Sequence, residues 1–342
     1  MTKIKLAVAA GSYCGGCDMS IVNLNELLIP IDDAIELQYW QLAADFKVKD
    51  VEKLKDSEID ITLFHGPIRT SEHAEMAHLF RKKSKVLIAY GACSCFGGIP
   101  QLANSFTTKE ILDEAYVNGY NMDGSGANHM RIDSEYKKDR KMTLPKLYNS
   151  CLPLASEVEV DYYVPGCPPV RKQWEILLEV VTNFIKKGEL PPKGTVVAGD
   201  TALCEECGRT KPEEIVINKF LRPYEINPDP EKCLLSQGVI CMGPATRAGC
   251  GGQCTVNANM PCRGCFGPAP EVHDPGIKIL SAIASIAGAK KESELGEEGL
   301  KKLIDQVVDP FGTFYRFAVP QILMHMKMKE NEEEASDSKN KK

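Results

Sequence analysis

No apolar run in this 342-residue chain approaches the roughly 18–20 residues that a membrane span requires. An excess of positive charge is also missing. There are 41 lysines and arginines against 47 aspartates and glutamates, a formal charge of −6, and the basic residues form no stripe, which excludes a nucleic-acid footprint. No cleavable leader is visible, because the apolar run at 4–10 leads straight into the first cysteine pair. Tryptophan is scarce at two residues, and the six histidines (65, 73, 78, 129, 273 and 325) form no tight cluster. These absences point to a soluble cytoplasmic protein.

Cysteine is abundant, at fourteen residues. Cytoplasmic thiols stay reduced, and disulfide frameworks belong to small secreted domains, so ligation of metal is the better reading of so many thiols. Six lie in the first 167 residues and eight crowd residues 204–265, which equals two sets of four.

The first part of the chain alternates short apolar runs with helical patterns, the mark of repeated βαβ units. Strands are expected at 4–9, 35–40, 59–64, 85–90 and 158–164, and helices at 18–28, 71–83, 107–117 and 170–187. This predicts an α/β fold with an open, mostly parallel, flavodoxin-like sheet over residues 1–195, whose ligands collect at the carboxyl ends of the strands. Residues 118–150 are polar and rich in Gly, Asn, Asp and Lys, and are expected to form a surface insertion. Residues 196–275 lack periodicity and are dense in Cys, Gly and Pro, so an irregular second domain organised by metal clusters is expected. Short helices at 277–287, 300–308 and 314–326 should pack back within a segment 276–326, ahead of a disordered charged tail at 327–342.

Cys14-Gly15-Gly16-Cys17 follows the first expected strand, Cys93 follows the fourth, and Cys167, in Gly166-Cys167-Pro168-Pro169, follows the fifth. Three strand ends thus bring Cys14, Cys17, Cys93 and Cys167 to one sheet edge, as a [4Fe–4S] cluster with one thiolate per iron would need. In the second half, Cys204-x-x-Cys207, Cys233, Cys241, Cys250, Cys254 and Cys262-x-x-Cys265 admit either iron–sulfur clusters or tetrahedral zinc. The long gap between the two close pairs and the Gly-Pro turns after Cys241 and Cys265 favour iron–sulfur.

Cys14-Gly-Gly-Cys17, Gly91-x-Cys93-x-x-Phe96-Gly97-Gly98 and Gly166-Cys167-Pro168-Pro169 resemble the proximal-cluster motifs of [NiFe]-hydrogenase small subunits. Cys204-x-x-Cys207, Cys241-x-Gly243-Pro244-x-Thr246-x-x-x-Cys250 and Cys262-x-Gly264-Cys265 resemble their distal and medial motifs, in order, over residues 4–268. The resemblance is strongest to the cytoplasmic methyl-viologen-reducing type that works with heterodisulfide reductase in methanogens and some anaerobic bacteria. It implies three [4Fe–4S] clusters. The proximal cluster would be held by Cys14, Cys17, Cys93 and Cys167, and the distal by Cys204, Cys207, Cys233 and Cys241. The medial cluster would take Cys250, Cys262 and Cys265, with Cys254 as fourth ligand. Cys204 stands where periplasmic members have histidine, and Cys254 adds a thiolate where they have three. Both changes imply lower potentials, since added negative charge disfavours reduction.

The resemblance further implies an electron-relay subunit with no catalytic residue of its own. Its partners would be a nickel-bearing large subunit and a small iron–sulfur acceptor subunit leading to heterodisulfide reductase. A deazaflavin-reducing hydrogenase small subunit and a zinc-stabilised non-redox module are the alternatives. The related subunit of complex I lacks the eight-cysteine segment. Cys95 and Cys151 remain over and read as buried structural thiols, with Cys95, two residues from Cys93, the alternative as a ligand or a group beside the cluster. His65 is either a loop residue or a donor near the proximal cluster.

Overall fold

Five apolar segments of the first 164 residues become strands of one sheet. The computed structural model describes residues 3–123, 135–137, 142–213, 215, 217, 219–288, 298, 301–302 and 305–319. The strands are β1 (Ile4–Ala10), β2 (Ile35–Trp40), β3 (Ile59–His65), β4 (Ile68–Thr70), β5 (Ser84–Tyr90), β6 (Glu135–Lys137), β7 (Met142–Thr143), β8 (Leu147–Leu152) and β9 (Tyr162–Val164). The main sheet runs β2-β1-β3-β5-β9, and every pairing in it is parallel. This is the flavodoxin-type order that the sequence pattern predicts.

Both faces of the sheet are covered, which is why its strands read as continuous apolar runs. On one face Ala7, Ala9, Phe64, Leu87 and Ala89 pack on Ala74, Ala77 and Phe80 of a helix at Ser71–Lys83. On the other, Leu6, Val8, Leu63, Ile88 and Tyr90 pack with Ile21 and Trp174.

The helices of this part are α1 (Gly16–Val22), α2 (Leu28–Ala34), α3 (Val48–Lys53), α4 (Ser71–Lys83), α5 (Ala92–Phe96), α6 (Thr108–Asp113) and α7 (Arg171–Lys187). The helix expected at 18–28 is broken into α1 and α2, because Asn25 takes a left-handed φ of 52°. The one expected at 107–117 starts at a capping box of Thr107 and Glu110, and α6 ends at Asp113, where a wider turn, Glu114–Asn118, follows. The strand expected from 158 begins only at Tyr162. There the Asp161 carboxylate accepts from Leu87 N at 2.8 Å and from Arg81 at 2.6 Å. Across the end of the expected insertion, β8 pairs antiparallel with β4 and buries Ser150, and Cys151 just beyond it. Much of the remainder of that span lies outside the described residues.

Beyond residue 196 regular structure is short: α8 (Leu203–Glu206), a few single turns, and then α9 (Pro275–Gly288) and a helix at Pro310–Phe314. Low periodicity does not mean the lack of a core. Leu203, Phe220, Leu234, Leu235, Val239, Ile240 and Met242 bury against Ile279 and Ile283 of α9 and against Phe314, with Cys241 and Cys262 in the same cluster. Of the further C-terminal helices, only 301–302, 305–308 and 314–319 lie within the described residues, and the expected tail at 327–342 lies outside them. No helix among the described residues is long and apolar enough to cross a membrane.

Candidate metal centres

Four neighbouring strands, β1, β3, β5 and β9, end level. Ala10, His65, Tyr90 and Val164 are neighbours in register, so the segments that follow them leave from one edge. The turn after β9 is locked to the one after β5 by Gly91 N to Val164 O and Ala92 N to Gly166 O, both 2.7 Å. Cys14 and Cys17 follow β1, Cys93 opens α5, and Cys167 follows β9. Cys14 and Cys167 are exposed, and the other two are half-buried.

Cys17 and Cys93 lie near enough to the other thiols to feel their charge, with smaller contributions from Cys95 to Cys17 and from Cys151 to Cys93. Burial, then Cys93, Cys167 and Cys14, push the Cys17 thiol far up from its ordinary value. Burial, then Cys167 and Cys14, push Cys93 up to about 12. Such thiols keep their protons at neutral pH unless a metal takes the sulfurs. Two glycines make room for them. A Cβ on Gly91 would lie 2.4 Å from Cys17 Sγ, and one on Gly98 would lie 2.5 Å from Cys93 Sγ, while both backbones have positive φ.

Beneath this edge lies a buried polar group that the sequence pattern does not reveal. His65, the last residue of β3 rather than a loop residue, is 2% exposed and places Nε2 3.3 Å from Asp18 Oδ1. The same oxygen accepts from Trp40 Nε1 at 2.8 Å, and the Tyr13 ring stands edge-on to His65 at 5.3 Å. Burial alone would raise the Asp18 carboxyl, but the His65 and Trp40 donors outweigh it and hold the group below the usual range. Asp18 Oδ2 is buried without a hydrogen-bond partner among the described residues. The one sequence signal is an acid directly behind a Cys-x-x-Cys pair.

Cys204, Cys207, Cys233 and Cys241 line a cavity of about 40 Å³ together with Arg209, Lys211 and Gly243. Burial, then Cys241, push Cys204 up to about 12, with Lys211 pulling the other way. Cys250, Cys254, Cys262 and Cys265 line a larger cavity of about 570 Å³, and Cys167 reaches into the same space. Burial pushes Cys265 up to about 12 against a hydrogen bond from the Cys167 backbone. Cys262 N donates to Cys241 Sγ at 3.3 Å. The three sets of cysteines are therefore in contact in the order first, third, second.

The remaining cysteines point elsewhere. Cys95 is buried with its thiol donating to Ala89 O at 3.3 Å, inside the core beneath α4. Cys151 is buried on β8, where its backbone is clasped by Asn104 (2.7 and 2.9 Å), and burial pushes its thiol up to about 11. Among the described residues no three His, Cys, Asp or Glu side chains stand close enough to share one metal ion. All-thiolate sets spread around cavities suit polynuclear iron–sulfur groups, in which each sulfur meets its own iron.

Residues 14–181 match the family described as NADH ubiquinone oxidoreductase, 20 Kd subunit. The match stops short of the eight cysteines from 204 onward. Among the proteins to which the chain is similar over nearly its whole length are two hydrogenase subunits. One is the iron–sulfur subunit of the F420-non-reducing hydrogenase of Archaeoglobus profundus, 33% identical over 334 residues, covering 95% of this chain and 99% of that one. The other is the corresponding F420-non-reducing hydrogenase subunit of Methanothermobacter marburgensis, 35% identical, covering 96% and 98%. Among solved structures, an NAD+-reducing [NiFe]-hydrogenase in the H2-reduced state includes a chain 26% identical, with a TM-score of 0.43, covering 56% of this chain and 94% of that one.

Proposed function

The chain belongs to the family of F420-non-reducing hydrogenase iron–sulfur subunits, small subunits of [NiFe]-hydrogenases, and from that premise we propose that it carries electrons between the nickel–iron site of its large subunit and a downstream acceptor through three [4Fe–4S] clusters. As an oxidoreductase subunit it needs no acid, base or nucleophile. When bound, the clusters would supply one-electron storage and transfer, and the chain's own residues hold, space and tune them.

Cys14, Cys17, Cys93 and Cys167 would hold the cluster nearest the large subunit, since Cys14 and Cys167 lie exposed at the strand edge. Cys250, Cys254, Cys262 and Cys265 would hold the medial cluster, and Cys204, Cys207, Cys233 and Cys241 the distal one. The observation that carries this order is the pair of contacts between sets. Cys167 lines the same cavity as Cys250, Cys254, Cys262 and Cys265, and Cys262 N donates to Cys241 Sγ at 3.3 Å, so each set adjoins the next. Fixed amide-to-sulfur contacts of this kind also favour negative charge on the sulfurs.

Relatives that do not reduce F420 favour the methyl-viologen-reducing type over the deazaflavin-reducing alternative. We extend this to the acceptor, a small iron–sulfur subunit that leads to heterodisulfide reductase, and to a cytoplasmic setting. Anaerobically purified complex should contain about twelve irons and twelve sulfides in this subunit, four per cluster. About eleven irons would remove Cys254 as a ligand, and about four would overturn the relay.

A further inference from the structure

Arg209 follows Cys207 by two residues and is 6% exposed. Its guanidinium is held by neutral acceptors alone. Nε donates to Thr255 O at 2.7 Å, and Nη1 donates to the Asp229 and Lys232 carbonyls, both at 2.9 Å. Nη2 donates to Asn259 Oδ1 at 2.5 Å. The neighbouring Asp229 carboxylate is otherwise engaged, with Lys232 Nζ at 2.9 Å and Glu231 N at 3.0 Å. No carboxylate among the described residues hydrogen-bonds to Arg209, and Asp229, which feels its charge, spends its oxygens on Lys232 and Glu231, so the buried cation is only partly compensated, which is costly. What Arg209 does share is the wall of the cavity ringed by Cys204, Cys207, Cys233 and Cys241.

We propose that Arg209 is the fixed counter-charge of these four cysteines and sets the reduction potential of the cluster they hold. The inference rests on the distal-cluster reading above. A guanidinium keeps its charge at any working pH, and its acceptors come from separate segments around 229–232, 255 and 259, so it cannot swing away. Four thiolates around an iron–sulfur core leave net negative charge, and an added electron is opposed less when a cation stands close in a poorly screened interior. Lys211 supports it from the rim, with Nζ donating to Cys204 O at 3.1 Å, but its exposure to water weakens its effect. In this way the chain offsets part of the potential drop expected from thiolate at position 204.

Redox titration of the anaerobic large–small subunit complex, followed by electron paramagnetic resonance, tests the proposal, with the signal of this cavity identified by its loss in Cys207→Ser. Arg209→Gln removes the charge, whereas Arg209→Lys keeps the charge and forfeits most of the hydrogen bonds. Arg209→Gln should lower the reduced-to-oxidised ratio at a fixed ambient potential at least tenfold, equivalent to about 59 mV for one electron. Arg209→Lys should stay close to the unaltered complex, although both variants melt earlier. Equal shifts in the two variants, or no shift in Arg209→Gln, would overturn the counter-charge and leave Arg209 a clasp for three loops. If both variants lose the cluster, Asn259→Asp decides, because it sets a carboxylate against the same guanidinium; a downward shift supports the proposal and an unmoved potential overturns it. Iron analysis of the unaltered complex separates the two readings, because absence of iron from this cavity would instead sink the relay.

Discussion

Gly91 carries the tightest constraint around the first cysteine set. Its φ of +88° suits glycine, and any side chain would meet Cys17 Sγ at 2.4 Å. Gly91→Ala should therefore cost about 1–3 kcal/mol through backbone strain and crowding. It should also remove about four of about twelve irons, measured by metal analysis and thermal melting. Serine substitution separates ligands from bystanders. Cys17→Ser should abolish hydrogen-dependent dye reduction, because serine oxygen is a poor ligand for these irons and, in the proposed order, this set is the one that receives electrons from the large subunit. Cys151→Ser should keep its iron and its activity, losing about 1–3 kcal/mol of stability for a hydroxyl buried in place of a thiol. Loss of a whole cluster in Cys151→Ser, with Cys167→Ser tolerated, would show the first site to be misassigned. At this scale the strand-end cysteines were legible because parallel strands deliver their trailing loops to one edge. Asp18, Arg209 and the pairing of His65 were not. Their partners lie 20–50 residues away, and only the sheet register and the loop packing bring them together.

Elements with a strong period were legible, and those governed by distant contacts were not. The pattern 71–83 gave α4 without error, since apolar residues at helical spacing meet a flat sheet and Thr70 caps the start. One left-handed Asn25 was enough to split the helix before β2, and an aspartate replaced ladder bonds ahead of β9. The greatest miss was the second core. Its Leu, Ile, Val and Phe residues are strewn between Cys, Gly and Pro without a period, and become a cluster only when α9 is laid across them. Ile279 of α9 is fully buried there beside Cys241 and Cys262. Ile279→Ala should destabilise this part by about 2–5 kcal/mol through the cavity it leaves. On heating, about eight irons should then be released before the four of the sheet edge, as followed by visible absorbance and chelator capture. Simultaneous release of all twelve would show that the two parts melt as one unit.

At the scale of the whole molecule the proposed relay makes two demands, bound metal and a covered strand edge. In the stripped chain Cys93, Cys204 and Cys265 titrate at about 12, above the ordinary thiol value of 9.0. A raised folded value adds stability that is whole below pH 9 and is lost as pH climbs toward 12. The melting temperature of chelator-stripped protein should therefore fall above about pH 9. The loaded protein, whose sulfurs have already lost their protons to iron, should fall less over the same window, and parallel curves would contradict ligation by these thiols. The strand edge adds a second demand. Cys14 and Cys167 are exposed there, and the segments after β1 and β5 present Tyr13, Met19, Ile99 and Phe106 at 42%, 51%, 47% and 55% exposure. Large apolar side chains beside solvent-open cluster ligands fit the obligate class of interface, above about 2,000 Å² of buried surface. A charge placed among them, Tyr13→Asp, should lower recovery of the large subunit at least tenfold in anaerobic affinity purification while the irons of the distal and medial sets remain. Air should then bleach the sheet-edge cluster first, because the large subunit no longer shields it. An isolated monomer that keeps all its clusters in air would contradict both the interface and the placement of the first cluster beneath it.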